Sequence, residues 1–327
     1  MSITANTMAD VVAVVIHCLG FTPTSSVVLT LVNGTSVVCT LRVDAQPHAQ
    51  PRELAARVTG YTGQIPAADG ALMVSFEDEK ALTLAQYRAL GDALSHTGTP
   101  LRGAVLVTGG HIMDYDGDST DSVPFTDAAT SPTALEMMLK TEAPALLAAN
   151  VPACRTGRTE AIQAHAANAA GLDAGDAETR AVARGTLADL IEGYRTTGAV
   201  SADHAAWLAG TLTHCGFRDL LATSLATSED GEAAMAGALL GTTAPESWEH
   251  LRTAARALAA ALEHIPTKYR AEILTIIGWT RWIDGMSTEA DRFFALAQQA
   301  DPGHTLSTQM LTMINKGHLP PAALQAH

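Results

Sequence analysis

The chain has 327 residues, 47% of them hydrophobic, 5% aromatic and 17% charged, with a formal net charge of -14. That length predicts two domains or one large one, with a core built chiefly from Ala, Leu and Val. The acidity argues against a duplex-binding surface, because phosphate contact needs clustered Lys and Arg and the 20 basic residues form no cluster.

The first basic residue is Arg42, and Asp10 precedes the apolar run 11–16, so no secretory signal is expected. The run is also far too short to span a bilayer. Cys18, Cys39, Cys154 and Cys215 are scattered without paired spacing. That pattern argues against a disulfide scaffold or a zinc site and for a reducing, cytoplasmic setting.

Residues 11–19 read as a short helix ended by Gly20. The β-branched runs 27–32 and 36–44 flank Asn33-Gly34, the preferred two-residue hairpin turn, in which both residues take positive φ. In the second run Val37, Cys39, Leu41 and Val43 share one face; Ser36, Thr40, Arg42 and Asp44 share the other, with Val38 among them. Pro51 opens a helix through Val58. Residues 71–76 form a buried strand, Thr83 to Gln86 a capping box for a helix reaching Ser95, and 101–108 the next strand. Gly109-Gly110 is either a second tight hairpin leading to 111–115 or the start of a loop.

From 116 to 132 the chain is rich in Asp, Ser, Thr and Gly, which marks a boundary. The expected organisation is a mixed-sheet α/β domain over 1–120, a linker over 121–132 and a helical domain over 133–327. The fold class is α+β. A capping box at Thr133 to Glu136 opens helical windows at 134–149, 156–170, 176–196, 201–226, 231–240, 246–263, 268–284, 287–300 and 304–316. Across 271–304 the small and apolar positions Leu274, Ile277, Gly278, Ala290, Phe294 and Ala297, closed by Pro302, fit one tetratricopeptide-type helix pair. Such a module binds or stacks and needs neighbours to bury its face.

Three segments together resemble a known family: 19–29 with Leu41 to Asp44; Phe217 to Leu221; and Gly278-Trp279 with 300–303 and 317–321. The arrangement is similar to the domain of unknown function 4192 family of actinobacteria and actinophages, over nearly the whole chain. The resemblance implies such an origin and a cytoplasmic protein, and brings no activity with it. Members often carry a cysteine-bearing segment after the last strand of the first domain; here 111–118 has no cysteine.

Carboxylates are the sharpest chemical grouping. Asp44, Glu77, Asp78 and Asp114 follow strands, and ligands gather at the carboxyl ends of strands in an α/β sheet. Converging there, they could hold magnesium or manganese for a phosphohydrolase or nuclease-like reaction. A hairpin at Gly109-Gly110 would carry Asp114 away and remove that possibility. Asp114, Asp116 and Asp118 begin like a calcium loop, but Ser119 and Phe125 occupy its glycine and bidentate-glutamate positions. His17, Ser25, Ser26 and Asp44 can be written as a triad, without any nucleophile elbow to support it. Arg42 and Asp44 share a strand face that is either solvated or an anion-binding groove beside the Thr24–Ser26 loop. Trp279 and Trp282 fit core packing and would be partner-binding residues only if exposed. The expected function is a non-catalytic scaffold or adaptor without a cofactor, binding another protein or a second copy of itself through the helical domain. The metal enzyme is the alternative.

Overall fold

The computed structural model describes residues 5–44, 49–77, 82–115, 121–140 and 151–325. The chain divides into two compact units, Met1–Leu146 and Leu147–His327.

The first unit opens with α1 (Met8–Leu19), then the strands β1 (Ser26–Asn33) and β2 (Ser36–Asp44), α2 (Pro51–Thr62), β3 (Gly70–Glu77) and α3 (Leu84–His96). It closes with β4 (Leu101–Thr108), β5 (His111–Asp114), β6 (Val123–Pro124), α4 (Thr126–Thr130) and α5 (Pro132–Lys140). The strands form one mixed sheet in the order β2-β1-β3-β4-β5-β6. Only β3 and β4, joined through α3, run parallel. The α+β class and the strand–helix order follow the sequence.

Two hairpins turn on glycine. Gly34 has φ 59°, but Asn33 ends β1 and pairs with Ser36, so the turn residues are Gly34 and Thr35. Only the first needs a positive φ, which corrects the expectation for Asn33. At the second hairpin Gly109 and Gly110 both take positive φ, 56° and 77°, and Thr108 pairs with His111. The ambiguity there resolves to a hairpin.

Period-two alternation sets the two faces of the sheet. Val28, Val74, Phe76, Val105, Val107 and Ile112 form one cluster with Val12 and Val15 of α1. The opposite face is buried at Val27, Leu29, Leu31 and Met73. It takes the paired helices α2 and α3, whose Leu54, Val58, Leu90 and Leu94 are also buried.

The start of α1 is tied to the start of α5. Thr7 and Asp10 form a reciprocal capping box, in which the Asp10 carboxylate accepts from the N–H groups of Asn6 and Thr7 and from the Thr7 hydroxyl. Burial pushes the Asp10 carboxyl up. Hydrogen bonds from Thr133, Thr7, the Asn6 backbone and Ser131 outweigh it and hold the carboxyl below its ordinary 3.8. Ser131, not Thr133, caps α5, accepting from the Ala134 N–H. α4 and α5, assigned by sequence to the linker and the helical domain, pack against α1 and lie within the first unit.

The second unit is helical: α6 (Thr159–Ala170), α7 (Ala177–Thr197), α8 (Ala202–Thr211), α9 (Cys215–Ser224), α10 (Glu232–Leu239), α11 (Trp248–Ala261), α12 (Ala271–Ile283), α13 (Ser287–Ala300) and α14 (Thr305–Asn315). The window expected as one helix over 201–226 breaks into α8 and α9, with Thr213 and His214 closing turns between them. α12 and α13 fold back on each other across three residues, with Gly278 against the buried ring of Phe294. Beneath them Arg281 pairs with Glu289 and Asp284, and Arg252 of α11 grips Asp284 with two nitrogens, so four charges are neutralised where three helices meet.

A Cβ on Gly278 would sit 2.6 Å from the Phe294 ring, whereas one on Gly185 of α7 would meet nothing within 4 Å. Gly278→Ala is therefore expected to lower the thermal midpoint, with an overpacking cost of about 1–3 kcal/mol that exceeds the helix-propensity gain. Gly185→Ala is expected to raise it, by about 0.5–1 kcal/mol. Thermal melts of both variants check the pair, and a rise in both would contradict the packing at Gly278.

Because the folded Asp10 carboxyl titrates below its ordinary value, its stabilisation is present above 3.8 and lost as pH falls through the folded value. Asp10→Asn is expected to be less stable than wild type at neutral pH. The gap should close as pH falls below 3.8, read by urea melts at successive acid values.

Candidate functional site

The carboxylates expected to gather at the strand ends are separated by the alternation of the sheet. Asp44 pairs in register with Ser26, and Asp114 with Val105, whose partner Val74 lies on the α1 face. Glu77 follows Phe76 of that same cluster, so it emerges on the opposite face. There Glu77 is buried and accepts from the Ser75 hydroxyl (2.7 Å) and the Leu82 N–H (3.3 Å). Its second oxygen has no hydrogen bond among the described residues. Asp114 is carried back from the strand end by the Gly109-Gly110 hairpin, the outcome that removes it from any shared site. Asp78, Asp116 and Asp118 lie outside the described residues. Among the described residues no three His, Cys, Asp or Glu side chains are placed to hold a metal ion together.

Arg42 and Asp44 form an ion pair, and the Arg42 Nε donates to Ser26 Oγ at 2.8 Å. Ser26 in turn donates to the Thr24 carbonyl (2.7 Å), and Ser25 takes a φ of 44°. Arg42 thus serves to pin the loop before β1, and the Ser26 hydroxyl is spent on structure. Burial lowers the pKa of His17. Thiolate formation is disfavoured at two of the cysteines: burial, with Cys18 nearby, pushes Cys39 up to about 12, and burial raises Cys18, whereas Cys154 and Cys215 are exposed.

Trp279 and Trp282 are core residues, 5% and 2% exposed. Each indole N–H donates to a backbone carbonyl, of Leu239 and His318 respectively. Both are packed in the core, as the sequence favours, and the condition for a partner-binding role, exposure, is not met.

The helical unit instead presents a cleft of about 280 Å³ between the end of α6, the start of α7, α8 and α9. Its apolar lining includes Leu172, Val182, Trp207 and Phe217. Phe217 is buried and held by the edge of the His214 ring, with centroids 5.7 Å apart. Trp207 is half-buried, and its N–H makes no hydrogen bond among the described residues, unlike those of Trp279 and Trp282. Leu172 and Val182 are 42% and 65% exposed at the mouth. Asp176 and Glu178 complete the rim. Asp176 caps α7, accepting from the Thr179 N–H at 2.8 Å; that bond first, with further bonds and Arg180, holds its carboxyl below the usual range.

Sequence reasoning missed this cleft because its walls come from four helices with no shared spacing. The one local signal is Trp207 itself, a lone indole in the small-residue run Ala205 to Gly210.

Among the described residues no helix is long and apolar enough to cross a membrane. Comparison with curated proteins and with solved structures finds no match. The family described as Domain of unknown function (DUF4192) matches residues 9–322, essentially the whole chain, and the protein belongs to that family.

Proposed function

We propose that the protein is a non-catalytic scaffold or adaptor that holds another protein, or a second copy of itself, through its helical unit. The observation that carries this reading is the cleft of α6 to α9, where an aromatic floor meets the exposed side chains Leu172 and Val182. Arg42 and Ser26 are engaged in anchoring the loop before β1, and Asp10 in a helix cap. On this reading the protein acts in the cytoplasm without magnesium, manganese or another cofactor. It treats the α12–α13 pair as a tetratricopeptide-like support and not as the contact surface. An actinobacterial or actinophage setting fits the same reading.

The test uses tagged full-length chain in cells that encode it. A defined protein, or an untagged second copy, is expected to co-purify. Val182→Arg is expected to abolish that association while leaving the thermal midpoint unchanged, since exposed substitutions rarely exceed about 0.5 kcal/mol. Association that survives Val182→Arg, or metal-dependent phosphate-ester hydrolysis lost in Asp44→Asn, would contradict the proposal.

A further inference from the structure

The geometry points to a specific occupant for the cleft: we infer that it is a socket for an arginine side chain carried by the partner protein. The inference rests on the adaptor reading and deepens it. The cavity is small, about 280 Å³, at the lower limit of small-molecule sites and suited to one long side chain. Its walls offer two different chemistries at two depths. Trp207 and Phe217 give aromatic surface for an aliphatic stem and for a flat cation stacked on the indole. Asp176 and Glu178 place two carboxylates at the rim, where a guanidinium emerging from the cleft would meet them.

No basic side chain lines the cleft. The nearest cation on the same helix, Arg180, donates to the Gly175 carbonyl, lies 3.6 Å from Asp230, which Arg184 also engages, and acts on Asp176 as well. Glu178 is thus the rim carboxylate that makes no ion pair among the described residues. The net charge of -14 adds a long-range field that draws a basic segment toward the surface. An acidic partner would meet like charge at this rim. A purely apolar partner would leave the two carboxylates facing apolar surface. An arginine satisfies both layers.

The experiment uses the full chain with isotope-labelled tryptophan. Four indole N–H resonances are expected from Trp207, Trp248, Trp279 and Trp282, and Trp207→Phe identifies the first. The probe is acetyl-Gly-Arg-Gly-amide, with the norleucine peptide as its uncharged counterpart. The arginine peptide is expected to shift the Trp207 resonance saturably at millimolar concentration and to leave those of the buried Trp279 and Trp282 in place. The double variant Asp176→Ser with Glu178→Gln keeps a hydroxyl cap on α7 and removes both charges. It is expected to bind the arginine peptide about tenfold more weakly. Unchanged Trp279 and Trp282 resonances in that variant show that the fold is kept. Equal shifts with the norleucine peptide, or no loss in the double variant, overturn the arginine assignment and leave the adaptor reading standing. Failure of both peptides to move Trp207 also overturns it. Loss of the adaptor reading itself is read separately, from co-purification with the Val182→Arg control.

Discussion

The helical unit depends on how closely α8 lies on α6, and Gly210 sets that distance. A Cβ at this position would come within 2.5 Å of the Ile162 carbonyl oxygen and the His165 Cβ, and within 2.9 Å of the Ala166 nitrogen. These are backbone atoms or atoms fixed to it, so no rotamer change can make room. The contact brings the end of α6, with Leu172 just beyond it, beside Trp207 and Thr211 of α8. α7 and α9 then close the remaining sides. The cleft is thus a consequence of backbone contact between rigid helices. Its walls are preorganised, which lowers the ordering cost of binding.

The rest of the molecule uses its polar groups inwardly. Arg281, Glu289, Asp284 and Arg252 neutralise one another where α11, α12 and α13 meet. Glu272 at the start of α12 lies 3.2 Å from His304 and 3.8 Å from Arg218, which ties α9 to the loop before α14. In the first unit Asp10 joins two helix starts, and Arg42 anchors the loop before β1. Such groups hold charge where desolvation would otherwise be costly, and truncating one partner leaves the other unpaired. Against that background, a half-buried indole N–H without a bond and Glu178, which makes no ion pair among the described residues, stand out at an apolar mouth.

What could be read from sequence was what neighbouring residues decide. The Thr83–Gln86 capping box, Gly20 closing α1, the β-branched runs of β1 and β2, and the small residue at Gly278 facing Phe294 are all local patterns with one physical solution. What could not be read was set by contacts remote in the chain. Ser131 displaced Thr133 as the cap of α5 because Thr133 turns toward Asp10, more than a hundred residues away. The carboxylate grouping failed on parity: Glu77 is one residue past a strand position that faces α1, so it points to the other side of the sheet from Asp44. The cleft lay beyond reach altogether, since no pattern links residues near 172 to Trp207 and Phe217.

The central claim is that the protein works by holding another polypeptide at the α6–α9 cleft. The most direct measurement replaces Val182 with a photo-crosslinking amino acid in living cells, with Glu192, exposed on the same helix, as the control position. The account predicts one dominant cross-linked product from position 182 and none from position 192. Mass spectrometry of the joined peptide should place an arginine within a few residues of the cross-link. Equal labelling from the two positions, or no product from position 182, would contradict it.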